Sequence, residues 1–235
     1  MGIGRHQATM IGASLSYLAS IKLNIRTLDS SRDEFGIDGR SSDEYNSRMS
    51  SIDSKPTVLT VHPSTATDAV RSLEVRVRAT ESDILVFHYS LAADMSRVRV
   101  PPSDVGRAAD ALWKHTCFEA FVAAADVPGY YEFNFSPSRD WAIYRFSAYR
   151  AGMSRAEMGA VPEISVRRSD DGLELESTVR LGHLADLGDA HRLRVAMAAV
   201  IEDDAGGLSY WALRHAPGKP DFHHPDGFAL EVARS

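Results

Sequence analysis

Cysteine is almost missing from this sequence: Cys117 stands alone among 235 residues, so no internal disulfide can form and no C-x-x-C metal or haem-attachment motif can be written. That fits a chain kept in a reducing cytoplasm, with export as the lesser alternative. Long apolar runs are missing too. A spanning helix needs about 18 or more consecutive apolar residues, whereas the early stretch "TMIGASLSYLASI" behind Arg5 is diluted by Ser and Thr and lacks an A-x-A cleavage site. Nor is there a basic tract: 26 Lys and Arg face 32 Asp and Glu, for a net charge of −6, which offers a polyanion little to hold. Neither nucleic acid nor a membrane is therefore an expected partner. The phosphate-cradling loop, the nucleophile elbow and the dinucleotide-binding glycine pattern are absent as well.

With 44% hydrophobic and 25% charged residues, what is there reads as an ordinary globular chain. Residues 1–55 differ from the rest. The run "RTLDSSRDEFGIDGRSSDEYNSRMSSIDSKP" is crowded with Ser, Asp, Arg and Gly, too poor in aliphatic side chains to offset its ordering entropy, and predicts a disordered or loosely attached extension. A short amphipathic helix near residues 8–24 is the alternative. From 56 to 235 the pattern changes to short alternating runs bounded by turn residues. In "LEVRVRAT" (73–80), Leu73, Val75 and Val77 share one face, with Glu74, Arg76 and Arg78 on the other. With "DILVFHYSLA" (83–92) it predicts a hairpin. Further strands are expected at 116–124, 130–136, 141–150, 163–170, 173–180, 192–203, 209–215 and 227–232, and short turns or helices around "SDVGRAADALWKH" and "LGHLADLG". About ten strands at roughly ten-residue spacing predict an all-β fold, a sandwich or a barrel.

Two strands carry polar residues among apolar ones. In "LWKHTCFEAFV" alternation sets Cys117, Glu119 and Phe121 on one face; a carboxyl there is hydrogen-bonded, paired or metal-bound, or else lies on a solvated strand face. In "YYEFNFSPSRDWAIYRFSAYR", a hairpin turned by "PSRD", Glu132, Asn134 and Ser136 share a face and Arg145 lies nearby on the return strand. Such a row suits the hydroxyls of a polar ligand. Trp141 and Tyr144 read as packing residues. Glu119 with Glu132 as a glycosidase acid and nucleophile is a weaker reading, since it needs a separation of about 5–9 Å that spacing cannot supply.

Together, "LWKHTCFEAFV", "YYEFNFSPSRDWAIYRFSAYR" and "YWALRHAPGKPDFHHPDGF" resemble the bacterial DOMON-like proteins, relatives of the family 9 carbohydrate-binding modules, over roughly residues 56–232. The resemblance implies a two-sheet antiparallel β-sandwich with a ligand site on one side, where relatives bind sugars or, in cytochrome members, haem. It implies that Trp113 and Trp211 stack on a sugar ring and that Glu119 contacts it. His115 and Thr116 stand where sugar-binding relatives often have an acidic residue, a departure that bears on calcium and on the sugar contacts. A haem would need a Met and a His; Met95 and Met153 are present, but no spacing selects a pair.

The stretch 210–228 concentrates His215, Asp221, His223, His224 and Asp226 among three prolines. Asp221, His223 and His224 are the candidate ligands for a divalent metal, although adjacent histidines in extended chain point to opposite sides. The prolines predict an ordered loop at 216–226, anchored by a buried Phe222 and capped by Asp221. The leading expectation is a non-catalytic β-sandwich that binds a carbohydrate or similar polar small molecule through Trp113, Glu119, Glu132, Asn134, Arg145, Trp211 and His215. The alternatives are a metal-dependent enzyme built on loop 215–226, with His215 and Glu119 assisting, and a protein-interaction module.

Overall fold

The computed structural model describes residues 52–81, 83–102, 105–156, 159 and 161–234. Of the expected extension, residues 1–51 lie outside the described residues, as does the alternative helix at 8–24. The alternation in the sequence becomes two antiparallel sheets. One has six strands: β1 (Ile52–Asp53), β2 (Thr57–Val58), β4 (Val70–Glu81), β5 (Ile84–Ala93), β10 (Glu163–Arg168) and β11 (Gly172–Arg180), in the order β1-β4-β5-β11-β10 with β2 also on β4. Ile52 and Asp53 pair with Ala79 and Arg78, so the sheet begins ahead of Pro56. The other sheet has eight: β3 (Thr60–Val61), β6 (Cys117–Ala124), β7 (Tyr130–Phe135), β8 (Trp141–Phe146), β9 (Ser154–Arg155), β12 (Arg192–Glu202), β13 (Leu208–Ala212) and β14 (Leu230–Ala233). Their order is β3-β13-β12-β6-β7-β8-β9, with β14 beside β13 on the same edge of β12. The fold is a β-sandwich.

The inner faces interlock through rings. Phe87 of β5 meets Phe133 and Phe135 of β7 at 5.9 and 5.8 Å, and Tyr89 meets Phe118 of β6 at 5.0 Å. Each such side chain, wholly buried, contributes about 1.5–3 kcal/mol. Tyr89 also reaches across the sandwich, its phenol donating to the main-chain oxygen of Glu119 at 2.8 Å, so the six-stranded sheet grips β6 at the residue whose side chain matters most below. Met95 belongs to this core.

The sheets differ in their outer faces. On the six-stranded sheet charge faces water, as the alternation of β4 and β11 predicts; Arg167 and Glu174 pair there at 2.6 Å. On the eight-stranded sheet β6 and β7 are buried at every position, because loops cover the outer face. Glu119 is thus not on a solvated strand. The strand expected at 141–150 stops at Phe146, where residues 147–152 turn with Arg150 at φ 51° and Gly152 at φ 64°. A side chain at Gly152 would meet the Ser147 hydroxyl at 2.1 Å, so the turn requires glycine. The two expected short helices are single 3-10 turns, Leu112–Lys114 and Leu181–His183. Among the described residues no helix is long and apolar enough to cross a membrane.

One inner residue breaks the apolar pattern. Ser177 is wholly buried and its hydroxyl has no hydrogen-bond partner, which costs about 1–3 kcal/mol. Ser177→Ala should therefore raise the stability of the domain by about 1 kcal/mol, read as a higher denaturation midpoint at unchanged slope. A lower midpoint would show that the hydroxyl has a partner in solution.

Candidate functional site

Strand register builds the site. Alternation puts Cys117, Glu119, Phe121 and Ala123 of β6 on the outer face, and pairing aligns each with a partner. One rung across five strands reads Ala212, Ala198, Glu119, Asn134 and Ala142. The next reads Ala196, Phe121, Glu132 and Tyr144. Glu119 and Glu132 are therefore diagonal neighbours on adjacent strands, flanked by buried alanines of the same outer face. Three segments roof the pair: the turn bearing Trp113, residues 150–153 with Arg150 and Met153, and residues 220–223 with Phe222 and His223. Together they enclose a cavity of about 500 Å³. Its walls are largely aromatic, with Tyr144, Phe146 and Tyr210 rising from the sheet, and the Trp113 ring stands edge-on to Tyr144 at 6.0 Å.

At the floor sits an acid pair. Glu119 is 3% exposed and its Oε1 has no hydrogen-bond partner. Burial first, and Glu132 second, push its carboxyl well above the usual range. Glu132 is also raised by burial, although Asn134 and Arg150 pull the other way. The Asn134 amide donates to Glu132 Oε1 at 2.8 Å, and its own oxygen accepts from the Cys117 thiol at 3.7 Å. Burial drives the Cys117 thiol upward too, so it stays protonated.

His223 closes one side. The Arg150 amide donates to the Tyr130 phenol oxygen at 3.2 Å, and that phenol donates to His223 Nδ1 at 2.8 Å. This leaves Nε2 carrying the proton, 3.7 Å from Glu132 Oε2. The imidazole lies edge-on to Phe121 at 5.1 Å and Phe146 at 5.0 Å. Burial, aided by the Arg150 charge, lowers its pKa to about 4, so at neutral pH the ring carries no charge. Asp221 fastens the same loop. Its Oδ1 accepts Arg150 Nε at 3.1 Å and Nη2 at 2.7 Å, Tyr149 donates to its other oxygen, and the His223 amide bonds back to it at 3.1 Å, the Asx turn that Pro-Asp predicts.

Of the residues expected to bind, Trp113, Glu119 and Glu132 line the cavity, with Asn134 bonded beneath. Three others are elsewhere. Arg145 pairs with Tyr131 across β7 and β8, so it sits in the opposite phase from Glu132 and bonds Asp186 at 2.7 Å. Trp211 belongs to the core between the sheets, its indole donating to Ser209 at 3.0 Å. His215 donates to the Thr60 carbonyl at 2.7 Å and packs edge-on to His62. The metal candidates are dispersed as well. Asp221 is committed to Arg150, His223 to Tyr130, and His224 accepts the Asp226 amide at 3.3 Å. Among the described residues no three His, Cys, Asp or Glu side chains are grouped so as to hold a metal ion.

Met153 and His223 both line the cavity, but His223 has Nδ1 bonded and Nε2 turned to Glu132, which does not fit a haem ligand. Phe222 corrects the expected anchor: it is half-buried, against Tyr210 at 5.9 Å, and forms wall, whereas the inserted ring is His223. Sequence reasoning took Tyr144 for a packing residue and passed over Phe146, Arg150 and Tyr210. Counting outward from the Phe135–Trp141 pair that closes the hairpin identifies Tyr144 and Phe146 as sharing the face of Glu132; no local pattern signals Arg150 or Tyr210.

No family model matches the sequence, and no curated protein matches it. Solved structures do share the fold. A Bacteroides uniformis protein provisionally described as carbohydrate-binding is 16% identical, with a TM-score of 0.54 over 76% of this chain and 85% of its own. A family 9 carbohydrate-binding module of Caldicellulosiruptor kristjanssonii, solved with cellotriose and with glucose, is 12% identical at a TM-score of 0.45, over 86% of this chain and 89% and 91% of those chains.

Two outcomes follow from these environments. His223→Ala should destabilise the domain by about 2–3 kcal/mol, more than Phe222→Ala at about 1–2 kcal/mol. Because the folded pKa of His223 is depressed, its contribution is fully present above pH 6.5 and is lost as pH falls from 6.5 to about 4. Denaturation of both variants across that window checks the order and the slope; a His223→Ala deficit that does not shrink toward acid would contradict the neutral ring. Glu119 behaves oppositely. With its pKa raised above 4.5, the folded domain must keep a proton that the unfolded chain has released, so the parent loses stability as pH rises. Glu119→Gln should thus be the more stable form at neutral pH, by a margin that grows with pH. A margin independent of pH would show Glu119 ionised in the folded domain.

Proposed function

We propose that this domain is a non-catalytic binder of a carbohydrate, or of a closely similar polar small molecule, held in the cavity over β6 and β7. The carrying observation is the Oε1 atom of Glu119, buried without a partner at the floor of an aromatic-walled cavity. Leaving such an atom unmatched costs about 1–3 kcal/mol, a cost that a ligand hydroxyl would relieve. The combination also matches sugar chemistry: apolar C–H faces suit the rings of Trp113, Tyr144 and Tyr210, and hydroxyls suit Glu119 and Glu132. At about 500 Å³ the cavity lies within the roughly 300–1,000 Å³ usual for small-molecule sites. The carbohydrate-binding description of the structurally similar Bacteroides protein is in keeping with this reading.

Hydrolysis is less well supported by the acid pair. Glycosidases hold one carboxyl ionised and the other protonated, so their environments drive the two pKa values apart. Here burial is the leading influence on both, and although Asn134 and Arg150 pull Glu132 back, neither carboxyl is held in the ordinary ionised range.

Titration with a panel of mono- and oligosaccharides, followed by calorimetry and tryptophan fluorescence, tests the proposal. Trp113 is 37% exposed at the cavity, whereas Trp211 is 6% exposed in the core and Trp141 packs against that core, so the fluorescence change should come from Trp113. Trp113→Ala should weaken binding about tenfold or more. No binding at millimolar saccharide, or an affinity unmoved by Trp113→Ala, would overturn the proposal.

A further inference from the structure

The acid pair has no cation of its own. Glu119 is influenced by burial and by Glu132, and by no positive group. His223, the base beside Glu132, is uncharged at neutral pH, and Arg150, whose charge does reach Glu132, spends its guanidinium on Asp221. Two carboxyls therefore meet in a cavity walled by aromatic faces, which themselves attract cations at about 0.5–2 kcal/mol each. We propose that the ligand of this cavity carries a positively charged amine, seated between Glu119 and Glu132 and against the aromatic walls, and that its class is the amino sugars with a free amino group. The inference rests on the reading of the cavity as a saccharide site and adds to it the one charge the floor lacks.

The chemistry balances by proton release. In the free cavity burial and mutual repulsion keep Glu119 protonated. An ammonium placed beside it favours the carboxylate, and the carboxyl proton leaves to buffer. The other titratable groups facing the pair are Cys117, Tyr130 and Tyr144, each pushed upward by burial, with Arg150, paired to Asp221, and His223; Tyr210 also lines the cavity. Affinity for an amino sugar should rise as pH climbs above the ordinary carboxylate range, then fall once the amine itself loses its proton. Neutral sugars should show no such maximum.

Calorimetry with glucosamine, glucose, N-acetylglucosamine and benzylammonium, each in two buffers of different ionisation enthalpy, tests this directly. Glucosamine should bind about tenfold or more tighter than glucose and N-acetylglucosamine, with a proton released that neither neutral sugar releases. Glu119→Gln and Glu132→Gln should each abolish most of that preference. Equal affinity for glucose and glucosamine, or tighter binding of the N-acetylated sugar, would overturn the inference and leave the saccharide reading standing. Binding of benzylammonium without any sugar would overturn the amino-sugar class together with that reading, and no binding of any of the four would overturn both.

Discussion

Two carboxyl groups held out of water on one face of a sheet set the terms for the structure around them. A buried acid without a counter-charge is tolerated only if it stays protonated, if its neighbours supply dipoles, and if the backbone beneath it cannot shift. The domain meets each condition with a different element. Burial on β6 keeps Glu119 neutral, Asn134 on β7 supplies the amide that Glu132 needs, and Tyr89 from the opposite sheet fixes the Glu119 carbonyl. The sandwich core is thus also the mounting for the site: the rings of Phe118, Phe133 and Phe135 that knit the sheets alternate along β6 and β7 with the side chains that line the floor.

The roof depends on the floor in turn. His223 can lie among Phe121, Phe146 and Tyr130 because it is uncharged, and Tyr130 links it to the turn at Arg150. Arg150 and Ala111 both adopt left-handed backbone angles, φ 51° and 60°, a conformation that costs side-chain-bearing residues about 1–2 kcal/mol. Both strained residues adjoin the cavity, Ala111 just ahead of Trp113 and Arg150 in the wall itself. The turns they shape hold the tryptophan and the guanidinium over the acid pair.

The all-β pattern was legible in the sequence because alternation is a local signal, which β4, β5, β6, β7, β11 and β12 all show; alternation left sandwich and barrel open, and the family resemblance implied the sandwich. Glu119 and Glu132 were legible for a related reason, as polar residues set in a strand phase among apolar ones, whereas Trp113 entered through the family resemblance. Arg145 was misplaced because proximity in sequence was taken for a shared face, and Trp211 because the family resemblance was carried onto a strand position that here faces the core. A residue's face depends on the register across a hairpin, which for Arg145 puts Tyr131 opposite it, and on which phase of β13 the core claims. The metal candidates of the 210–228 loop are placed apart for another reason: composition brought its His and Asp together, whereas their partners, Tyr130 and Arg150, come from chain 70 or more residues away. No spacing rule reports such long-range partners.

The alanines beside the acid pair have a role of their own. Ala212, Ala198 and Ala142 share the rung of Glu119 and Asn134, and Ala196 shares that of Phe121 and Glu132. All four are buried in the outer-face cluster against which Leu112, Phe222 and Phe228 pack, so each ends at a methyl group where a larger residue would push those covering side chains away. How closely the covering segments approach the sheet is consequently set by side chains that make no polar contact, while the electrostatic character of the cavity is set by Glu119 and Glu132. Shape and charge can therefore drift independently: a larger side chain at Ala198 would displace the cover without altering the acids. A cavity so divided can change by single steps, each leaving the sandwich beneath it intact.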